Sequence, residues 1–236
     1  MRISFLGINS IGKRILDWLQ ERDEEIVCML TEKRDLEKIH QLHPDLIISC
    51  GFRHIVPPEI LSVPGLGAIN IHKSFLPLNR GANPVFWTLL DGTRAGVSIH
   101  FMTEEVDAGS IIAQREVEVA FDDTAKSLYR KLEEIQFDLF IESWEKIKQR
   151  KTVPRSQEGT KSIHRIRDFQ ELRRIDPDRR IRIGDFLRYL KAMTFPPFQN
   201  AFLEMEGERY YVEIKIRKES PAENLTDETG HLKQYK

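Results

Sequence analysis

The chain has 236 residues, with 36 Lys and Arg against 37 Asp and Glu and a formal net charge of -1. That length suits one full-sized domain with a smaller appendage. The balanced charge excludes an overall field that would draw in nucleic acid or an anionic membrane. No apolar run approaches the roughly 18 residues needed to span a bilayer, and the N-terminus MRISFLGI lacks the regions of a signal peptide. Cys28 and Cys50 lie in the apolar runs IVCML and LIISCGF, where a free thiol behaves as a small hydrophobe. Two lone cysteines form neither a disulfide framework nor a metal cluster, so a cytoplasmic protein without a metal site is expected.

Ile3 to Leu6 read as a strand, Gly7, Asn9 and Ser10 as a turn, and Ile11, Ile15, Leu16 and Leu19 recur at helical spacing. A strand at Ile26 to Leu30, a polar helical stretch from Lys33 to Gln41 and a buried strand DLIIS from Asp45 follow. This alternation predicts an α/β domain with a Rossmann-like, mostly parallel sheet. AINI, GVSIHFM and IIAQREVEV supply the fourth, fifth and sixth strands. Asp122 to Thr124 then cap a long helix carrying Leu128, Leu132, Ile135, Leu139 and Trp144, which closes a first domain over 1–150. KTVPRSQEGTKS reads as a linker, Ile183 to Ala192 as a short helix, and AFLEMEGERYYVEIKI as a β-hairpin turning at Glu206-Gly207. A small helix and hairpin region thus spans 151–220, with a polar tail over 221–236. The aromatic strand of the hairpin either pairs across a homodimer or packs on the first domain.

The first loop, GINSIG, has Gly7 and Gly12 but no Gly-x-Gly pair, which argues against a dinucleotide fingerprint. Asn9 at this strand-to-helix turn is either an anion ligand or an ordinary helix cap. The richest segment runs from Asn70 to Trp87, NIHKSFLPLNRGANPVFW. Asn70 and His72 are two apart, so on an extended segment both project from one face, at the end of a strand where open sheets bind ligands. Asp107, in the acidic turn after GVSIHFM, is either a turn residue or a carboxylate that the parallel topology returns beside His72. Together the three make an acyl-transfer set.

Asn-x-His, then Leu-Pro-x-x-Arg-Gly, then Asp-x-Gly resembles the folate-dependent formyltransferases. The likeness extends over residues 45 to 150 through PDLIISCGFRHIVPPEIL, INIHKSFLPLNRGANPVFW, GVSIHFMTEEVDAGSIIAQ and DDTAKSLYRKL. NRGANPVFW and TFPPFQNAF are similar to the nucleotide-sugar N-formyltransferases in particular. The resemblance implies N10-formyltetrahydrofolate as formyl donor and a nucleotide-linked amino sugar (dTDP-, UDP- or GDP-type) as acceptor. It also implies Asn70 as oxyanion donor, His72 as proton carrier and Asp107 as the group that orients and stabilises the imidazole. Phe52, His54 and Val56 would form the hinge that reads the pterin, and Thr103, Glu104 and Val106 the loop over it. Arg80, Asn79 and Lys73 would meet the acceptor's phosphates, Arg80 foremost, with Phe195 or Phe198 stacked on the nucleobase. Methionyl-tRNA or glycinamide ribonucleotide as acceptor, or a non-catalytic scaffold, are the alternatives. The chain departs from the family in one respect: only residues 31–44 separate IVCML from DLIIS, so the first half of the sheet is abbreviated.

Overall fold

A computed structural model describes residues 1–219, and the polar tail expected from residue 221 lies outside them. The apolar run after Met1 forms β1 (Arg2–Leu6), with Ile3, Phe5 and Leu6 fully buried. Helix α1 (Ser10–Gln20) follows, and the Asn9 side chain caps it by accepting from the Gly12 amide at 2.8 Å. Then come β2 (Glu25–Leu30), α2 (Lys38–Leu42), β3 (Leu46–Ser49), α3 (Pro58–Leu61), β4 (Ala68–His72), the two-residue β5 (Arg80–Gly81) and α4 (Pro84–Asp91). β6 (Ala95–Phe101), β7 (Ile111–Val117) and the long α5 (Ala125–Lys148) complete the larger unit. The remainder comprises β8 (Ile163–His164), α6 (Ile166–Glu171), α7 (Ile183–Met193) and the hairpin β9 (Ala201–Met205) and β10 (Glu208–Val212).

The six-stranded sheet runs β2-β1-β3-β4-β6-β7. β2, β1, β3 and β4 are parallel, whereas β6 pairs antiparallel with β4 and β7 antiparallel with β6. The expected Rossmann-like, mostly parallel α/β sheet is thus observed, with one correction. Asp107 comes back to the site through an antiparallel β6–β7 hairpin, not through a parallel crossover. The expected helix from Lys33 to Gln41 is also corrected: it breaks into a 3₁₀ turn at Lys33–Asp35 and the five-residue α2. Leu36 and Ile39 of this short connection pack into the core. KTVPRSQEGTKS is more than a linker, because it continues into β8, which pairs with β5.

α5 begins where the sequence places it. Thr124 caps it in a reciprocal arrangement with Ser127, a geometry that satisfies two otherwise orphaned amides. Its buried face carries Leu128, Leu132, Leu139, Phe140, Trp144 and Ile147. Phe140 and Trp144 meet Trp18 of α1 edge-on at 6.0 and 6.4 Å between ring centroids. Gln136, buried on the same helix, donates to the Ile71 carbonyl of β4 at 3.0 Å. This bond ties α5 to the strand that carries Asn70 and His72.

Because Phe140 is fully buried, Phe140→Ala is expected to lower the unfolding free energy by about 3–5 kcal/mol. Thr124→Ala should cost only about 1 kcal/mol through loss of the cap. Urea denaturation of the two variants checks both the size and the order.

Candidate active site

β1, β3 and β4 run parallel, with Leu6, Ser49 and Asn70 side by side and β4 running two residues further to His72. At this carboxyl edge an open sheet leaves a crevice for ligands. Asn70 and His72 alternate with the buried Ile69 and Ile71 and so share one face. The antiparallel register sets His100 of β6 opposite Asn70, on that same face. The loop between β6 and β7 then folds back over the pair. Asp107 sits in it with φ 51, a left-handed conformation that Asp tolerates better than most residues. Gly109 is required two residues on, since a Cβ there would lie 1.9 Å from the Phe101 carbonyl oxygen.

The result is a cluster around one carboxylate. Asp107 Oδ2 accepts from the Gly81 amide at 2.8 Å and lies 3.6 Å from His72 Nδ1. Asp107 Oδ1 accepts from Asn70 Nδ2 at 3.2 Å and lies 3.5 Å from His100 Nε2. Gly81 holds φ +84, and its close approach to the His164 carbonyl leaves no room for a side chain. Burial pushes the Asp107 carboxyl up, but the His72 and His100 imidazoles and the Gly81 amide outweigh it and hold the carboxyl far below the usual carboxylate range. Burial pulls the His72 imidazole below its ordinary value against the attraction of Asp107, with His100 and Lys73 adding to the depression. His72 Nε2 lies 3.2 Å from the Asn79 carbonyl oxygen, which can only accept. The neutral ring therefore carries its proton on Nε2 and leaves Nδ1 bare beside Asp107. A proton arriving at Nδ1 completes an ion pair there, and it is this charged form of the ring, not the neutral one, that lowers the Asp107 carboxyl.

The other expected site residues fall into three groups. Phe52 and His54 meet edge-on, 5.3 Å between centroids, on the loop after β3, and Val56 is buried at its end. Thr103, Glu104 and Val106 lie on the loop that carries Asp107, with Thr103 and Glu104 exposed. Lys73 is buried, with Nζ 4.1 Å from the Tyr129 ring centroid, and it shares the surroundings of Cys50 with Glu133. Cys50 in turn lies 3.7 Å from Asn9 Oδ1. Phe195 meets Tyr129 edge-on at 5.2 Å between centroids and lies tilted against Phe198 at 5.7 Å. Lys73, Tyr129, Phe195 and Phe198 thus form a row leading away from the carboxyl edge.

Two of the expected phosphate ligands are already engaged within the chain. Arg80 is 3% exposed, with Nε and Nη2 donating to Gln157 Oε1 at 3.1 and 2.7 Å and Nη1 paired with Glu105 at 3.1 Å. Asn79 is fully buried and its amide bonds Thr88, Thr93, Ser162 and His164. Both side chains are engaged in holding the loop together. Two residues of the cluster escaped the sequence reading. His100 sat in a strand pattern with nothing local to mark it. Gln157, in the stretch read as a linker, donates to the Asp107 and Gly109 carbonyls at 2.8 Å each.

An amide, an imidazole and a buried carboxylate at the carboxyl edge of an α/β sheet are the equipment of an acyl-transfer enzyme. Residues 1–143 match the formyl transferase family, and residues 168–218 match the N-formyltransferase dimerization C-terminal domain. The dTDP-4-amino-4,6-dideoxyglucose formyltransferase of Mycobacterium tuberculosis is 33% identical over 180 residues, 76% of either chain. A methionyl-tRNA formyltransferase of Fusobacterium nucleatum is 32% identical over 174 residues, 73% of this chain and 54% of that one. Among solved structures, a 4-N formyltransferase from Francisella tularensis aligns with a TM-score of 0.80 at 25% identity, over 92% of this chain and 98% of that one. The formyltransferase PseJ from Anoxybacillus kamchatkensis, in complex with UDP-4,6-dideoxy-4-formamido-L-AltNAc and tetrahydrofolate, aligns at 0.66 with 34% identity, over 72% and 89%. The chain belongs to the formyl transferase family, whose members are enzymes.

The geometry fixes the sign of a titration. Since His72 is depressed and Asp107 opposes the depression, Asp107→Asn should move the His72 midpoint, followed by NMR, still further below 6.5. In the native chain, stability gained by keeping His72 neutral is complete above about pH 6.5 and is lost as pH falls through the folded midpoint. An upward movement in Asp107→Asn would contradict this geometry.

Proposed function

We propose that this enzyme moves a formyl group from N10-formyltetrahydrofolate to the amino group of a nucleotide-linked amino sugar. The observation that carries the proposal is the gathering of Asn70 and His72 about Asp107 at the mouth of the crevice, 3.2 and 3.6 Å from its two carboxylate oxygens. The loop of residues 51–56 fits a folate: among the described residues, no hydrogen bond uses its backbone, and it faces the crevice with Phe52 half-buried and Val56 buried. The amides of residues 103–106 are equally unpaired. Backbone groups of this kind read the edge of a heterocycle much as a base pair does. Phe52, His54, Val56, Thr103, Glu104 and Val106 are the residues assigned to that role.

His72 Nδ1 takes the proton of the attacking amine and returns it to the folate nitrogen as that nitrogen leaves, a contribution of about 100 to 10,000-fold. Asp107 stabilises the imidazolium while it lasts. Asn70 Nδ2 donates to the oxyanion that develops on the formyl oxygen, where loss of one donor typically costs about 2.7–4 kcal/mol of barrier. The acceptor's diphosphate falls to Lys73 and the N-terminus of α1 at Asn9, in place of Arg80 and Asn79. Lys73 has no carboxylate partner among the described residues, and a helix N-terminus favours anions. The row Tyr129, Phe195 and Phe198 offers the nucleobase a path, ending on Phe198, 62% exposed.

The amino group lies at C4 of a 4,6-dideoxyhexose in this reading. Its support is that the M. tuberculosis relative acts on a 4-amino-4,6-dideoxy sugar nucleotide, PseJ holds a 4-formamido one and the F. tularensis enzyme is a 4-N formyltransferase. The hairpin β9–β10 exposes Met205, Tyr210 and Tyr211, within the stretch that matches a dimerization domain, and a homodimer through this hairpin is part of the proposal.

A panel of 3-amino and 4-amino sugars on dTDP, UDP and GDP, with formyltetrahydrofolate and mass-spectrometric readout, should yield a formamide only with 4-amino acceptors. Turnover should fall at least about a hundredfold in His72→Ala. Lys73→Ala should raise the acceptor KM with kcat held within a few-fold. Formylation of a 3-amino sugar alone would refute the C4 assignment, and a Lys73→Ala variant with unchanged KM would remove Lys73 from the phosphate site. For the dimer, Tyr210→Glu should halve the mass found by light scattering. An unchanged mass would remove the hairpin from the interface.

A further inference from the structure

Gln157 lies in the stretch between α5 and β8, half-buried between the exposed Ser156 and Glu158, and its amide is fully used. Oε1 accepts from Arg80 Nε and Nη2 at 3.1 and 2.7 Å. Nε2 donates to the Asp107 and Gly109 carbonyl oxygens at 2.8 Å each. A guanidinium can only donate and a carbonyl oxygen can only accept, so one orientation of the amide suits all four bonds and its flip suits none. The chain on either side is pinned as well. Arg155 exchanges both backbone bonds with Ile111 of β7, at 2.8 and 3.0 Å. Ser162 Oγ accepts from the Asn79 amide at 2.7 Å, and its carbonyl accepts from the Arg80 amide at 2.9 Å. The stretch is thus a strap fastened at residues 155 and 162, with Gln157 reaching inward between them.

We propose that Gln157 is a positioning residue for formyl transfer: through its two amide hydrogens it holds the main chain of Asp107 so that the carboxylate faces Asn70 and His72. Among the described residues, the main chain of residues 103–109 bonds other parts of the protein only through Gln157. The side chains of this loop add Glu105 on Arg80 and Asp107 on Asn70 and Gly81. Bonds to the carboxylate oxygens alone leave the backbone behind them free to pivot, and the bond on the Asp107 carbonyl removes that freedom. Arg80 sets the direction from the other end, since it fixes Oε1 and so turns Nε2 toward the loop. The strap after α5 is therefore part of the active site, although none of its side chains touches the reacting cluster.

The kinetic arm of the test rests on the formyl-transfer reading, whereas the hydrogen-exchange arm does not. Gln157→Glu keeps the length of the side chain and an acceptor for Arg80, but at neutral pH its carboxylate has no hydrogen for the two carbonyls. It should fold, with the amides of β6 protected as in the native chain. The Gly81 amide, whose bond to Asp107 Oδ2 spans 2.8 Å, should exchange faster with solvent, as the carboxylate it meets loses its fixed place. The rate of formyl transfer should fall by about tenfold to a hundredfold, with the KM of both substrates within a few-fold. Placed on Asp107→Ala, the same change should cost nothing more, since a residue acting through Asp107 has nothing left to position. If Gln157→Glu fails to fold, Gln157→Ala takes its place with the same expectations. Native protection of the Gly81 amide in the folded variant overturns the proposal. So does a native rate, a loss confined to KM, or an equal loss with and without Asp107. If the native chain transfers no formyl group, the fault lies with the proposed function, and the Gly81 amide alone decides the role of Gln157.

Discussion

The buried carboxylate of Asp107 is the interaction on which the site depends. It gathers an amide from β4, imidazoles from β4 and β6 and the Gly81 amide from β5. Left without these partners, a carboxylate at that depth would be protonated or exposed. Its position is in turn secured from behind, by Gln157 on the Asp107 carbonyl and by the close pass of Gly109 against Phe101. The loop is therefore held at several points, which is the preorganisation that the role proposed for Asp107 requires.

The same economy separates the two cations near the crevice. Arg80 is consumed by Glu105 and Gln157, so its planar, five-donor guanidinium ties the loop after β4 to the loop of Asp107 and to the segment leading to β8. Lys73, on the other side of His72, keeps its ammonium over an aromatic face. A cation–π contact neutralises no charge, and a buried ammonium of this kind is available to an incoming phosphate. One cation builds the site, and the other is the one the proposed function gives to the acceptor.

Much of this was legible in the sequence, and the parts that were not share a cause. Asn70 and His72 declare themselves because a period of two is a local property of a strand, and Asp107 because Asp-Ala-Gly marks a tight turn. His100 is invisible until the β4–β6 register is known, since thirty residues separate it from Asn70 and either direction of pairing suits GVSIHFM. Gln157 is hidden for the same reason at longer range, in a Pro- and Gly-punctuated stretch whose composition argues only for a loop. The burial of Arg80 is not legible from Arg-Gly after a turn, because the chain that covers it comes from the far side of α5. The parallel alternation of the first four strands was readable from their apolar runs, but the turn to antiparallel at β6 was not, because α4 stands between β4 and β6 as a crossover helix would.

The most direct measurement follows the ¹³Cγ resonance of Asp107 from pH 8 to pH 3. An ordinary aspartate titrates near 3.9, so its resonance would have moved most of the way by the acid end of that range. The cluster described here predicts that Asp107 keeps its carboxylate shift down to pH 3 for as long as the chain stays folded. A midpoint near the ordinary value in folded protein would contradict the account, because the imidazoles and amides placed around the carboxylate would then not be holding it.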